Sequence, residues 1–270
     1  MHAQPIIRSL QNPKIKQLMR LRKARERKIQ QLTLVEGLRE IQRAREGAAT
    51  FEAIYYCASR CSSDILQDYE FFCQDEAIDF IPCTEPVFEK ITYRAHADGL
   101  LGVAHMPKLT LSSLTPSKNP LLLAAENVEK PGNIGTLLRT IDATGADALI
   151  LIDSQTDITN PNIIRASIGS LFFVPVIETS RDAFFSWCKT HHIHTIALHP
   201  DAPSIYAQAD LQRPIAICVG AEDKGLSADL LELAEQQISI PMHGKNDSLN
   251  VSTAAAVILY ESIRQRNLTQ

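Results

Sequence analysis

Apolar and polar residues alternate along the chain in two series of short strand-like runs and amphipathic stretches, separated by a polar break. The first series predicts a helix over 12–30, a strand at TLVEG (33–37) and a helix over 37–46. A strand at FEAIYYC (51–57) follows, then a serine-capped helix at 62–73, a strand at 78–83, a short helix at 84–92 and a strand at 99–106. Residues 107–120 (PKLTLSSLTPSKNP) are rich in Pro, Ser and Thr without helical periodicity, which reads as a linker centred on 108–118. The second series opens on NPLLLAAEN (119–127), a continuous apolar run of the kind buried on both faces of a sheet. Further strands are expected at 148–153, FFVPVI (172–177), 193–199, 214–220 and QISIPM (237–242). Helices are expected after the Gly-rich turn at 132–135, near 160–168, over 181–190 and 226–235, and over 250–266. The pattern predicts an α/β fold: a smaller α/β domain over 1–107 and a parallel-sheet domain over 119–270.

Charge changes this picture. Residues 1–50 carry 12 Lys/Arg against 4 Asp/Glu, leaving 15 against 27 for the rest of a chain whose net charge is −4. A basic arm on an acidic body suits a polyanionic partner. Within it, IKQLMRLRKARERK reads as a helix with charge around most of its circumference, and Arg8, Lys14, Lys16, Arg20, Arg22, Lys23 and Arg25 are the candidate RNA contacts. No apolar run is long enough to span a bilayer, so no membrane partner is expected. The amino terminus lacks a secretory pattern, although its basic, acid-poor composition also suits an organellar address. The six cysteines form no CxxC pair and read as reduced and structural, which fits a cytoplasmic location.

Three segments fall where ligands bind in parallel sheets, beyond the carboxyl ends of strands. In EKPGNIGTLLR (129–139), Asn133 and Arg139 are six apart and converge only if Asn133 sits at or before the helix start; a helix cap with a surface arginine is the plainer reading. GAEDKGL (220–226) has neither dinucleotide nor P-loop spacing, but sets one carboxylate, Glu222, between glycines that free the backbone. Ordinary turn glycines would look the same. In 240–254, Ser248, Asn250, Ser252 and Thr253 crowd the start of an apolar helix, more small polar residues than one cap needs. The HHxH cluster (His191, His192, His194) lacks the distant partners of a zinc site, so no metal is expected, and no GxSxG elbow supports a hydrolase.

Together, PGNIGTLLRTIDATGADALIL (131–151), CVGAEDKGL (218–226) and ISIPMHGKNDSLNVSTAAAVILYESIRQR (238–266) resemble, in order and separation, the SpoU (TrmH-like) branch of the SPOUT RNA methyltransferases. RASIGSLFFVPV (165–176) also matches, and the resemblance spans 119–266. More loosely, SLQNPKIK (9–16), LVEG (34–37) and HADGLLGV (96–103) resemble the small ribosomal-protein-like RNA-binding domain that often precedes it. The resemblance implies a deep trefoil knot over about 195–266, a homodimer whose active sites are completed by the neighbouring subunit, and S-adenosylmethionine as cofactor. It implies cofactor contacts at Leu198, His199, Gly220, Ala221, Gly225, Ile240, Met242, Leu249 and Ser252, and catalytic positions at Asn133, Arg139, Glu222, Ser248 and Asn250. The implied reaction is 2′-O-methylation of RNA ribose. The separate amino-terminal domain favours 23S ribosomal RNA over transfer RNA.

An inert RNA-binding scaffold and a nucleotide-dependent oxidoreductase are the competing readings; the missing GxGxxG weighs against the second. A guanidinium is too weakly acidic to act as a base, so Arg139 is expected to hold an RNA phosphate bidentately and stabilise a developing alkoxide. Asn133 would orient the arginine or substrate, Glu222 its loop, and Ser248 with Asn250 the ribose and cofactor. If the basic arm contacts phosphates, replacing Lys16 and Arg20 together by alanine should flatten the log-affinity against log-salt slope for RNA by roughly 1–2. A salt titration of RNA binding checks this.

Overall fold

The computed structural model describes residues 4–47, 49–93 and 98–268, which form two compact units. His96 and Ala97 of the HADGLLGV motif lie outside the described residues. The first unit contains helices α1 (Pro13–Arg20), α2 (Ala24–Gln30), α3 (Leu38–Glu46), α4 (Ser63–Asp75) and α5 (Glu85–Ile91). Its strands are β1 (Leu32–Glu36), β2 (Thr50–Tyr56), β3 (Asp79–Pro82) and β4 (Leu100–His105), in the order β1-β4-β2-β3. The sheet is mixed: β4 runs antiparallel to β1 and β2, and β3 parallel to β2. Leu34, Tyr55, Ile81 and Leu101 from the sheet share a core with Ile15, Leu18 and Leu21 and with Val87, Phe88 and Ile91 of α5.

The helix expected over 12–30 is two helices. Lys23 is extended (φ −93°, ψ 130°), and the break lets Arg22 donate to the carbonyls of Lys90 and Thr92, both at 2.8 Å. Nor is the charge spread around the helix, because α1 buries Ile15 and Leu18 and sends its cations to the other side. Ser62 caps α4 as expected, accepting from Ile65 N.

The second unit carries β5 (Leu121–Glu126), α6 (Pro131–Thr144) and β6 (Ala148–Ile152). The chain then contributes α7 (Pro161–Ala166) to the first unit, and continues with β7 (Val176–Thr179), α8 (Arg181–Thr190), β8 (His194–Leu198), β9 (Ser204–Ile205), β10 (Ile215–Val219), α9 (Ala228–Leu233), β11 (Gln236–Ser239) and α10 (Val251–Asn267). The strands form one parallel sheet, ordered β7-β6-β5-β10-β8-β11-β9. Leu122, Ala124, Ile150, Ala216 and Cys218 pack against Phe184, Trp187 and Cys188 of α8 and Leu230 of α9. The intervening Leu121, Leu123, Leu149, Leu151 and Ile217 are equally buried, on the face where α6 and α10 pack on each other and on β6 and β10. Both faces are covered, which is why these strands read as unbroken apolar runs.

Elsewhere the structure corrects the expected boundaries. FFVPVI begins as a 3-10 turn at Ser170–Phe172, and pairing starts only at Val176, after Pro175. β11 stops at Ser239, two residues before Pro241, which cannot donate to a ladder. The short β9 was not anticipated. The linker segment is anchored: Leu109 bridges to Ile177, and Leu109, Leu111 and Leu114 pack on the second unit's core.

Residues Asp157–Phe172 belong to the first unit, although they fall within the domain expected over 119–270. Arg27, 4% exposed, pairs with Asp157 at 2.7 Å and donates to the Leu21 carbonyl, while Thr33 Oγ1 donates to the Thr159 carbonyl at 2.5 Å. Arg27 of the basic arm is therefore structural. The six cysteines are unpaired, and burial pushes the Cys73, Cys83 and Cys188 thiols up to about 12, as expected of inert core residues. Asp157→Ala should leave a buried guanidinium without its partner and cost about 3–5 kcal/mol, read as a fall in the urea midpoint of the first unit's unfolding.

Candidate active site

Three strands end at one cavity. Leu198 closes β8, Val219 closes β10 and Ser239 closes β11, and their following loops line a space of about 760 Å³. That size suits a small organic ligand. Leu198, Val219, Ile240, Met242, Leu249 and Val251 give it apolar walls, while Asp201, Glu222, Asp247 and Ser248 give it acidic and polar points.

The loop after β10 is held in a tight fold. Gly225 N donates to the Ala221 carbonyl at 2.8 Å, and Gly225 has φ +66°. A Cβ on Gly220 would lie 2.0 Å from the Gly225 carbonyl carbon, so only glycine permits this approach. Beneath the loop, Glu126 at the end of β5 is 2% exposed and accepts from both the backbone N and Oγ of Ser227, each at 2.7 Å. Ser227 also caps α9. A buried carboxylate thus fixes where the loop ends and the helix starts.

Glu222 joins the three segments singled out in the sequence. One carboxylate oxygen pairs with Lys130, the residue preceding α6, and the other accepts from Asn250 Nδ2. Asn250 Nδ2 also donates to Asn133 Oδ1 at 3.3 Å, and Asn250 Oδ1 caps α10 by accepting from Ser252 N at 3.0 Å. Ser252 Oγ donates to the Asn133 carbonyl at 3.2 Å. The Lys130 ammonium first, with Asn133 and Asn250 assisting, holds the Glu222 carboxyl below its ordinary range and raises Lys130 in return. Lys130 was missed in the sequence because nothing local distinguishes it from a solvated lysine.

The structure distributes the anticipated residues unevenly. Leu198, His199, Gly220, Ala221, Gly225, Ile240, Met242 and Leu249 all line the cavity, as do Glu222 and Ser248. Ser252 does not; it is 3% exposed and faces α6. Asn133, Glu222 and Asn250 come together, but Arg139 does not join them. Because α6 starts at Pro131, Asn133 already lies inside the helix, and a residue six positions on faces elsewhere. Arg139 is exposed, and no hydrogen bond or ion pair holds it among the described residues.

In the first unit, Arg8, Lys16, Arg20, Lys23 and Arg25 are exposed. Lys14, also exposed, pairs with Asp79 at 2.8 Å, and Arg22 is tied to the end of α5. His191 and His194 of the HHxH cluster are engaged locally, with the Trp187 carbonyl and Glu235 respectively.

Comparison with known proteins gives this arrangement its context. The model of the SpoU rRNA Methylase family matches residues 120–260, and that of the MRM3-like substrate binding domain matches residues 12–102. A 23S rRNA (guanosine-2′-O)-methyltransferase of Bacillus subtilis is 30% identical over 257 residues, covering 94% of this chain and 97% of its own. A solved RNA 2′-O ribose methyltransferase superposes with TM-score 0.84 at 38% identity, over 97% of this chain and 100% of that one. An AdoMet-bound rRNA methyltransferase from Sinorhizobium meliloti gives TM-score 0.88 at 26% identity, over 96% and 97%. The fold is thus that of an α/β RNA methyltransferase rather than a nucleotide-dependent oxidoreductase. The chain belongs to the SpoU rRNA methylase family.

Lys130→Met should move the Glu222 carboxyl titration up toward its ordinary value, with Asn250→Ala moving it less, both followed by carboxyl 13C NMR. The sign follows from linkage: the depressed carboxyl favours the joined network above the ordinary carboxylate range, and the network is lost as pH falls through the lowered value.

Proposed function

We propose that this chain transfers a methyl group from S-adenosylmethionine to a ribose 2′-hydroxyl of 23S ribosomal RNA. The observation that carries the reading is the cavity at the ends of β8, β10 and β11, with Glu222 on its lip tied to both Lys130 and Asn250. Apolar walls suit an adenine ring and thioether carbons, and Asp201 and Asp247, which outnumber Lys224 on the wall, suit a ligand carrying positive charge. When bound there, the cofactor supplies the electrophilic methyl group. The strand-end loops bind and orient it, and much of the rate gain comes from holding the two reactants in line.

Arg139 contributes by charge. Its planar fork grips an RNA phosphate and stabilises the oxygen as the hydroxyl loses its proton, which passes to that phosphate or to water. Ser248, exposed on the cavity wall, faces ribose and cofactor, while Asn133, Glu222 and Asn250 fix the lip. Arg139 lies outside its own protomer's cavity, on the exposed side of α6. This supports a homodimer in which the arginine completes the neighbouring site. The knot over 195–266 belongs to the same reading; α10 supports it by clamping the segment before β10, with Gln265 bonded to Leu211 N and Ala209 O, and Ser262 to Leu211 O.

The exposed cations of residues 8–25 would hold the RNA phosphates, and the 23S preference rests on the similarity to ribosomal RNA enzymes over nearly the whole chain. Six unpaired cysteines favour the cytoplasm. Among the described residues no helix is long and apolar enough to cross a membrane.

The test is transfer of labelled methyl from S-adenosylmethionine onto separate ribosomal and transfer RNA pools. Label in ribosomal RNA, recovered as an alkali-resistant dinucleotide, is expected. Label in transfer RNA alone would reassign the substrate, and cofactor binding without transfer to either RNA or intact ribosomal particles would indicate an inert scaffold. Arg139→Lys should lower turnover by about 100-fold with cofactor affinity unchanged, because lysine cannot reproduce the fork.

A further inference from the structure

The break between α1 and α2 places Arg22 against the loop that follows α5. Its Nη2 donates to the carbonyls of Lys90 and Thr92, both at 2.8 Å, so the hydrogen bonds engage the guanidinium edge. The guanidinium carbon lies over the Tyr93 ring, 5.1 Å from its centroid, within cation–π range. The Tyr93 backbone is anchored, since its N donates to the buried Glu36 carboxylate at 2.6 Å and the preceding Thr92 is buried. Yet its side chain is not enclosed: Tyr93 is 37% exposed, and Arg22 is exposed as well.

A helix-ending role accounts for the arginine alone, because the carbonyls of the last turn of α5 need donors. It does not account for a half-exposed aromatic ring beneath that arginine. The neighbouring stretches add Arg20, Lys23, Arg25 and Lys90, all exposed. The acids close by are committed, Glu36 to Tyr93 N and Glu89 to Arg60. A guanidinium over an exposed aromatic ring, set among cations, matches the chemistry that captures a single unpaired base, with the phosphates held around it.

We propose that Arg22 and Tyr93 form a stacking platform for one splayed-out base of the RNA substrate. The platform rests on the reading of the first unit as RNA-binding. It adds to that reading a preference for unpaired over duplex RNA, which charge alone does not give. Base identity is read weakly, since every base offers a π face.

The full chain is titrated with a short single-stranded RNA carrying 2-aminopurine, and with a blunt duplex of equal length, at one salt concentration. Tyr93→Leu should weaken single-strand binding about tenfold, abolish the 2-aminopurine quenching seen with the wild type, and leave duplex affinity unchanged. Tyr93→Phe should restore both signals. Arg22→Lys, which keeps a donor for the α5 carbonyls, should also lose the single-strand advantage while its thermal unfolding stays in place. Unchanged single-strand binding by Tyr93→Leu would overturn the platform alone, as would equal weakening of both RNAs, which marks a merely structural residue. A wild-type chain that binds neither RNA would overturn the platform together with the RNA-binding reading beneath it.

Discussion

Glu222 is where the second unit becomes a site. Its two carboxylate oxygens reach Lys130 on one side and Asn250 on the other, so a single side chain ties the start of α6, the loop after β10 and the start of α10. These positions lie 92 and 28 residues from the glutamate along the chain. Without such a tie, each segment would be a strand-end loop with its own freedom. With it, Asn250 caps α10 and bridges to Asn133 at the same time. The pair is solvent-accessible, so its worth is positional more than energetic.

The lip depends on a quieter support beneath it. Glu126 has left water entirely, which is tolerable only because Ser227 supplies two donors. That contact pins the far end of the loop whose near end is the tight Gly220–Gly225 approach. Glu222 is thus presented from a segment clamped at both ends, with the cavity on its open side.

Much of this was legible in the residues because the parallel sheet writes itself as continuous apolar runs: LLLAAE, ALILI and IAICV are each wholly buried. The loops that follow them could be located, and the residues expected to contact a cofactor, Ser252 apart, line one cavity between those loops. What escaped was long-range. The stretch over 12–30 reads as one helix, yet it is broken between Arg20 and Ala24, where Arg22 finds partners 68 and 70 residues away. Arg139 could meet Asn133 only if the latter stood at or before the helix start; α6 begins at Pro131, so the arginine is carried to the exposed side, as the plainer reading of a surface arginine had it. Lys130 and Glu126 gave no local signal, since a lysine in a turn and a glutamate at a strand end are ordinary until their partners are known.

The path of the chain between its two units carries a consequence for how such proteins can be rearranged. It crosses from one to the other three times, after residues 107, 156 and 172. The first unit is therefore not a bead on a string that can be exchanged by cutting at the Pro- and Ser-rich stretch. A graft ending at 107 would leave behind Ile163, Ile164, Leu171 and Phe172, all buried, and would strand Arg27 without Asp157. Any exchange of the first unit therefore has to carry residues 157–172 along with it, a strip that lies 50 residues beyond the break the sequence advertises.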